Sequence, residues 1–216
     1  MKLKLEVPAS LNDVSLRDYK HYLKIQDNNK DDKFLAAKMI EIFCNAPLKE
    51  VLRMKLKDTE KICKMLEEVF KSKPKLVRKF KVGKTQYGFH PSLDELSLGE
   101  YIDLDTYIGD WDNIEKAMNV LYRPIKHKFQ DKYSVKEYNV KIDDSLLEMP
   151  MSAVTSSIFF LFNLGIDLSQ TMVNSLGKKK NITLIESQIL EGSGVGINQF
   201  TNSLKEILQD LKISQS

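Results

Sequence analysis

Apolar residues recur every three or four positions along most of this chain, and that spacing is typical of amphipathic helices. Such helices are predicted at residues 15–25, 31–46, 48–54, 59–70, 143–148 and 197–213. The segment 151–176 differs, because residues 158–164 are apolar on every side of a helix. A helix of that kind lies in a large core or spans a membrane. Polar residues interrupt the apolar run, which favours the core; they are Ser152, Thr155, Ser156, Ser157, Asn163 and Asp167.

Alternation of apolar and polar residues, the pattern of β-strands, is confined to short segments. Residues 76–82 and 85–89 flank Gly83, which predicts a β-hairpin. Residues 132–140 are a weaker strand candidate, able to pair with that hairpin or with an N-terminal edge strand at residues 2–7. The fold is therefore predicted to be mainly α with a minor β part, a helical domain that carries a small β-hairpin or short antiparallel sheet.

Changes in composition divide the chain into three parts. Residues 1–70 are predicted to form an N-terminal helical subdomain with an edge strand. Residues 71–142 are predicted to hold the β-hairpin and a central helical hairpin. Residues 143–216 are predicted to hold a long core helix, a glycine-rich hinge and a C-terminal amphipathic helix. We expect one compact unit, since 216 residues can bury a substantial core.

The central helical hairpin opens with the clearest helix start in the chain. Ser97 and Glu100 form a capping box, in which each side chain satisfies the backbone N–H of the other residue. Apolar residues then share one broad face, namely Leu98, Tyr101, Ile102, Leu104 and Ile108. Glu100, Asp103 and Asp110 fall on the opposite face. This acidic face is one candidate partner-binding surface.

Asp105 does not join the acidic face but lies within the apolar stripe. A buried carboxylate is costly unless it is paired. Arg123 stands at the end of the following helix, where Pro124 disfavours further helical geometry. Its bidentate guanidinium would reach the carboxylate if the two helices are antiparallel. We therefore predict that Asp105 is largely buried and bonded to a cation, with Arg123 as the preferred partner, or to several backbone N–H groups.

The apolar stripe of the C-terminal helix is a second candidate partner-binding surface. Its residues are Phe200, Leu204, Ile207, Leu208 and Leu211. Gly192, Gly194 and Gly196 precede the stripe and predict a flexible hinge. After such a hinge the helix would either dock on its own domain or lie in a partner's groove. These glycines match neither the dinucleotide fingerprint nor a phosphate loop.

The net charge of +3 is too small to indicate nucleic acid or a membrane as partner. One segment is nevertheless basic, and its candidate phosphate-contacting residues are Lys73, Lys75, Arg78, Lys79 and Lys81. A basic β-ribbon with interleaved aromatic residues can contact phosphates. It can equally be a solvated face whose lysines protect an edge strand. A third reading is that it faces the acidic central stretch of a neighbouring copy.

No set of residues in the sequence spells out a reaction. The three histidines lie in unrelated segments without a catalytic neighbour. The central carboxylates do not form an EF-hand, because Ile108 stands where that loop needs glycine. Cys44 and Cys63 lack metal-binding spacing and are expected to be reduced thiols. No enzyme activity, cofactor or metal is predicted, and the start of the chain lacks a signal-peptide apolar region.

Several short strings of residues carry a family likeness. They are Tyr-Gly-Phe-His-Pro at 87–91, Gly-Glu-Tyr-Ile-Asp-Leu-Asp at 99–105, Ala-Met-x-Val-Leu-Tyr-Arg-Pro at 117–124 and Phe-Phe-x-Phe-x-Leu-Gly at 159–165. Trp111 stands between the second and the third. In this order they resemble small tail proteins of tailed bacteriophages, of the baseplate-hub and tail-assembly-chaperone kind. The likeness covers most of residues 3–175.

The resemblance implies a non-enzymatic protein that binds other virion components while the tail or baseplate is built, as a hub subunit or an assembly chaperone. Its partners would be other phage tail or virion proteins and further copies of itself, with no nucleic acid and no membrane. It would act in the host cytoplasm during assembly, and a hub subunit would stay in the virion. The alternatives are a head–tail connector or packaged protein, an enzyme that uses the carboxylates, and a nucleic-acid-binding module that uses the lysine-rich hairpin.

Overall fold

The computed structural model describes residues 5–141, 143–178 and 184–210, with the backbone alone for residues 172–178 and 184–195. In this part of the chain eight α-helices accompany one small antiparallel sheet. The helices are α1 (Leu16–Asp27), α2 (Asp32–Phe43), α3 (Leu48–Val51), α4 (Leu56–Phe70), α5 (Leu98–Tyr107), α6 (Ile114–Leu121), α7 (Met151–Lys178) and α8 (Leu184–Asp210). The strands are β1 (Lys79–Val82), β2 (Thr85–Phe89), β3 (Tyr122–Phe129) and β4 (Lys132–Val135). The predicted fold class, mainly α with a minor antiparallel β part, is confirmed.

A cluster of aromatic rings joins the N-terminal helices. Tyr19 and Tyr22 of α1 are buried. The ring of Tyr22 lies 5.3 Å from that of Phe43 in α2, measured between centroids. Phe70 of α4 lies 4.9 Å from Phe43 and 5.7 Å from Tyr19. Helices α1, α2 and α4 therefore share one aromatic core.

The sheet has the order β1-β2-β3-β4, and every neighbouring pair is antiparallel. Strands β1 and β2 are the predicted hairpin; Gly83 turns it with a φ of 55°, in the left-handed region that glycine tolerates. Strand β4 pairs with β3, rather than directly with the hairpin or with an N-terminal strand. The predicted edge strand does not form at residues 5–7, and residues 2–4 lie outside the described residues.

Strand β3 stands where the end of a helix was predicted. The apolar spacing favoured a helix that continues to Arg123, whereas α6 ends at Leu121 and β3 begins at once with Tyr122. Pro124 contributes to the change, because it disfavours helical geometry at the preceding residue.

The surroundings of Tyr122 explain the early start of β3. Its ring lies edge-on to Phe80 at 5.1 Å and to Phe89 at 5.3 Å. Its hydroxyl donates to the carbonyl oxygen of Val77 at 2.8 Å, and the carbonyl oxygen of Ala153 lies 3.2 Å away. This fully buried side chain holds the backbone extended at the centre of the fold.

Strand β4 packs onto β2 through one close contact. A Cβ atom at Gly88 would lie 2.4 Å from Cε2 of Tyr133 and 3.1 Å from Cγ1 of Ile125. The hydroxyl of Tyr133 donates to the carbonyl oxygen of Phe89 at 2.6 Å. The tyrosine ring therefore covers the bare backbone of Gly88 and positions β4.

We expect Gly88→Ala to reduce the free energy of unfolding by about 1–3 kcal/mol, because the new methyl group overlaps the Tyr133 ring. Denaturant unfolding of the purified protein measures this. The matched control is Gly99→Ala in α5, where a Cβ meets nothing within 4 Å. Alanine there should leave stability unchanged or raise it by up to about 1 kcal/mol. Equal stabilities of the two variants would contradict the packing of Tyr133 on β2.

The first turns of α7 lie in the core, whereas the segment 158–164 that was predicted to be core is buried only in part: Ile158 and Leu161 are buried, and Asn163 is exposed. Among the described residues, one helix segment, Met151–Thr171, is long and apolar enough to cross a membrane by length and composition. Residues 151–158 are nevertheless all buried within the protein. Residues 166–171 are more open, and Leu168 is 45% exposed.

The predicted glycine-rich hinge is wrong, because α8 runs as one helix through all three glycines. Its C-terminal half is docked on the protein, with Leu204 at 0% and Ile207 at 1% exposure. It crosses α7 closely, since a Cβ at Gly165 would lie 2.5 Å from Oγ1 of Thr201. Tertiary contacts of this kind override the low helix propensity of glycine.

Candidate interaction surface on α5

A buried ion pair between Glu100 and Arg123 fixes α5 to the rest of the protein. Only 10% of the Glu100 side chain and 7% of the Arg123 side chain are exposed. Oε1 of Glu100 contacts Nη2 of Arg123, while Oε2 accepts a hydrogen bond from the backbone N–H of Ser97 at 2.7 Å. One carboxylate thus completes the predicted capping box and ties the first turn of α5 to the start of β3.

The ion pair belongs to a polar cluster beneath α5. Nε of Arg123 donates to the carbonyl oxygen of Val120 at 3.2 Å, and the guanidinium lies 5.4 Å from the centroid of the Tyr138 ring. The Tyr138 hydroxyl donates to Oδ2 of Asp103 at 2.6 Å. Burial acts to raise the pKa of Glu100, but its hydrogen bonds and the charge of Arg123 outweigh burial and lower that pKa. Glu100 is therefore ionised at neutral pH.

Asp105 is exposed, so the predicted Asp105–Arg123 pair is wrong. Asp105 follows Glu100 by five residues, which places it roughly 140° around the helix. The structure turns Glu100 inward together with Leu104 and Ile108. The prediction that Glu100 stands on an exposed acidic face is wrong for the same reason: its buried arginine partner makes the inner position favourable.

The opposite side of α5 leaves apolar residues in solvent. Leu98 is 75% exposed, and Tyr101 and Ile102 are each 52% exposed. With Asp105 one turn further on, they form a stripe that we call the outer face of α5. All three apolar residues were predicted to share the inner face with Leu104, and that prediction is wrong. Contiguous apolar patches that are exposed to solvent are often interaction sites.

The segment of the chain that contains α5 is rich in carboxylates. The stretch from Asp94 to Asp112 contains seven carboxylates and no lysine, arginine or histidine. Asp94, Glu95 and Asp105 are among the exposed ones. A partner that fits this face would therefore present an apolar side chain within a positively charged surround.

The other two residues of the predicted acidic surface are engaged within the chain. Asp103 accepts the hydrogen bond from Tyr138 described above. Asp110 accepts from the backbone N–H of Asp112 at 2.8 Å and from Nδ2 of Asn113 at 2.6 Å. Both carboxylates are only half-exposed. Asp110 therefore supports the turn between α5 and α6, and Asp103 ties α5 to the segment that follows β4.

The apolar stripe of the C-terminal helix docks on its own domain, which is one of the two predicted alternatives. Leu204 and Ile207 are in the core, while Phe200 and Leu208 are partly buried against it. Leu211 lies outside the described residues. The prediction that this stripe is a partner-binding surface is therefore wrong for Leu204 and Ile207.

The basic candidates lie along the approach to β1 and on β1 itself. Lys73, Lys75, Arg78 and Lys81 are exposed. Lys79 is half-buried, with its ammonium nitrogen 4.7 Å from the centroid of the Tyr133 ring. Their interpretation as phosphate contacts stays a prediction.

The two cysteine thiols and the potential metal ligands elsewhere in the described residues are not arranged for catalysis. Cys44 and Cys63 are free thiols, and burial raises the pKa of Cys44 to about 11 and also raises that of Cys63. Both are therefore protonated, and weakly nucleophilic, at neutral pH. Within the described residues, no group of three or more histidine, cysteine, aspartate or glutamate side chains is placed to hold a metal ion.

Comparisons of this chain with protein families, with curated proteins and with solved structures found no match.

Proposed function

We propose that this chain is a non-enzymatic bacteriophage morphogenesis protein that binds other virion components during assembly of the tail or baseplate. The likeness of residues 3–175 to small phage tail proteins supports the class of function. The outer face of α5 supports the mode of action, and three of its four residues, Tyr101, Ile102 and Asp105, lie within one of the strings that carry the likeness. One observation carries the proposal. The buried ion pair between Glu100 and Arg123 leaves an apolar face of α5 exposed within a stretch of the chain that is rich in carboxylates.

The outer face of α5 is preorganised for binding a partner. Fully burying one large apolar side chain contributes roughly 1.5–3 kcal/mol, and the outer face offers Leu98, Tyr101 and Ile102. The capping box and the Glu100–Arg123 pair already fix the helix before a partner arrives. Little conformational entropy is then lost on binding, which favours affinity.

The test is affinity capture from infected host cells with a tagged chain. We expect the wild-type chain to retain tail or baseplate proteins, and Ile102→Asp to retain them about tenfold less or worse, because a charge replaces the centre of the apolar stripe. Mass spectrometry of the retained proteins gives both results. A connector or packaged protein would instead retain proteins of the phage head.

The matched control for this capture is Leu52→Asp. Leu52 is 70% exposed and lies after α3, outside the outer face of α5. We expect it to retain the same proteins as wild type. Equal capture by all three chains would refute the outer face as the binding surface, and capture of no virion protein by wild type would refute the proposed function.

A further inference from the structure

The hairpin of β3 and β4 ends in a second exposed apolar feature. Phe129 pairs with Lys132 at the end of the hairpin, and the turn between them begins at Gln130, whose φ is 52°. The Phe129 side chain is 76% exposed. It is an aromatic ring held in solvent at the tip of a two-residue turn.

The hairpin that carries Phe129 has more exposed lysines than carboxylates. Lys126, Lys128, Lys132 and Lys136 are all exposed, against Asp131 and Glu137 in the same segment. We call residues 126–137 the basic tip. No ion pair within the described residues involves any of its four lysines. The basic tip therefore has the character that the outer face of α5 requires of its partner.

We propose that the outer face of α5 in one copy of this chain receives the basic tip of a second copy. Phe129 packs between Tyr101 and Ile102, and the lysines of the basic tip face Asp105 and the carboxylates before α5. The inference rests on the proposed function only in treating the outer face as a docking surface.

The observations favour a second copy because one chain carries both complementary halves. Within a single folded chain they do not satisfy each other, since Phe129 and Leu98 are each more than 70% exposed. Packing of two outer faces against each other would set Asp105 and its neighbouring carboxylates against the same groups of the other copy. Such like-charge contact is unfavourable. The contact therefore joins two unlike surfaces in a head-to-tail sense, and its rotation decides whether it closes a reciprocal dimer or a ring or builds an open filament.

Complementary variants test this contact by analytical ultracentrifugation of the purified full chain. We expect wild type to gain mass with concentration, and Ile102→Asp and Phe129→Asp each to weaken association at least tenfold. An equimolar mixture of the two variants should form a dimer and nothing larger, because only one intact outer face and one intact basic tip can meet. Added salt should weaken association of wild type.

Leu52→Asp should associate as wild type does, and all three substituted side chains are more than half exposed, so each variant should still fold and unfold cooperatively. A wild-type chain that remains monomeric, a Phe129→Asp variant that associates as wild type does, or a mixture that fails to dimerise would each overturn the head-to-tail contact. The proposed function is judged separately. If a chain that never self-associates captures virion proteins, the proposed function stands and the head-to-tail contact is refuted. If the chain self-associates but captures no virion protein, the contact stands and the proposed function is refuted.

Discussion

Arg123→Met is expected to lower the free energy of unfolding by roughly 3–5 kcal/mol, because it leaves the carboxylate of Glu100 buried without its partner. Methionine keeps most of the side-chain volume, so the loss reports the ion pair rather than a cavity. Denaturant unfolding at neutral pH measures it. The control is Asp105→Ala, since Asp105 is exposed, and it should change stability by no more than about 0.5 kcal/mol. Equal effects of the two substitutions would mean that the ion pair does not hold α5.

The same ion pair should give a pH signature. The pKa of Glu100 is lowered in the folded protein, so its contribution to stability is present above the pKa of an unfolded glutamate. That contribution is lost as the pH falls through the lower, folded value. In Arg123→Met the unpaired Glu100 can be neutralised by a proton. The stability difference between wild type and Arg123→Met should therefore shrink as the solution is acidified, and a difference that grows would contradict the assignment.

Leu204→Ala is expected to cost about 2–5 kcal/mol, the usual range for a fully buried leucine. Leu204 has no exposed surface, and it anchors α8 to the core. Thermal and denaturant unfolding of the purified variant measure the loss. A change of this size would establish that α8 is part of the folded core.

The control for α8 is Leu52→Ala, which removes the same atoms from a side chain that is 70% exposed. Its effect should stay within about 0.5 kcal/mol. If Leu204→Ala is as mild as Leu52→Ala, then α8 does not dock as the structure has it. The stripe around Leu204 would then be free to bind a partner's groove, which is the other alternative that the sequence predicted.

Apolar spacing predicted most helices and the β1–β2 hairpin, yet it misjudged the rotation of α5. Spacing shows that a helix has two unlike faces, and it assumes that the apolar face is the inner one. In α5 the decisive residue is Glu100, whose partner Arg123 lies 23 positions away in a strand. No local pattern encodes that pairing. The misjudged rotation hid the outer face, and deviations of this kind are concentrated at functional sites.

Strand β3 and the continuous α8 were missed because distant contacts override local preference. Residues 117–122 have helical spacing, but the ring of Tyr122 fits between Phe80 and Phe89 only when the backbone there is extended. The exposed aromatic tip at Phe129 could be recognised only once β3 was known. In α8 each glycine costs about 1 kcal/mol of helix propensity. Docking of Leu204 and Ile207 more than offsets that cost.

The docking of α8 also fixes when the protein can finish folding. The ribosome adds about 5–20 residues per second, so residue 204 follows residue 122 by on the order of ten seconds. Until then the parts of α1 and α7 that α8 covers, around Tyr19 and Gly165, stay open to solvent on the nascent chain. Exposed apolar surface on an incomplete chain promotes aggregation. Synthesis of this protein therefore includes an interval in which the surface of α1 and α7 beneath α8 has no cover.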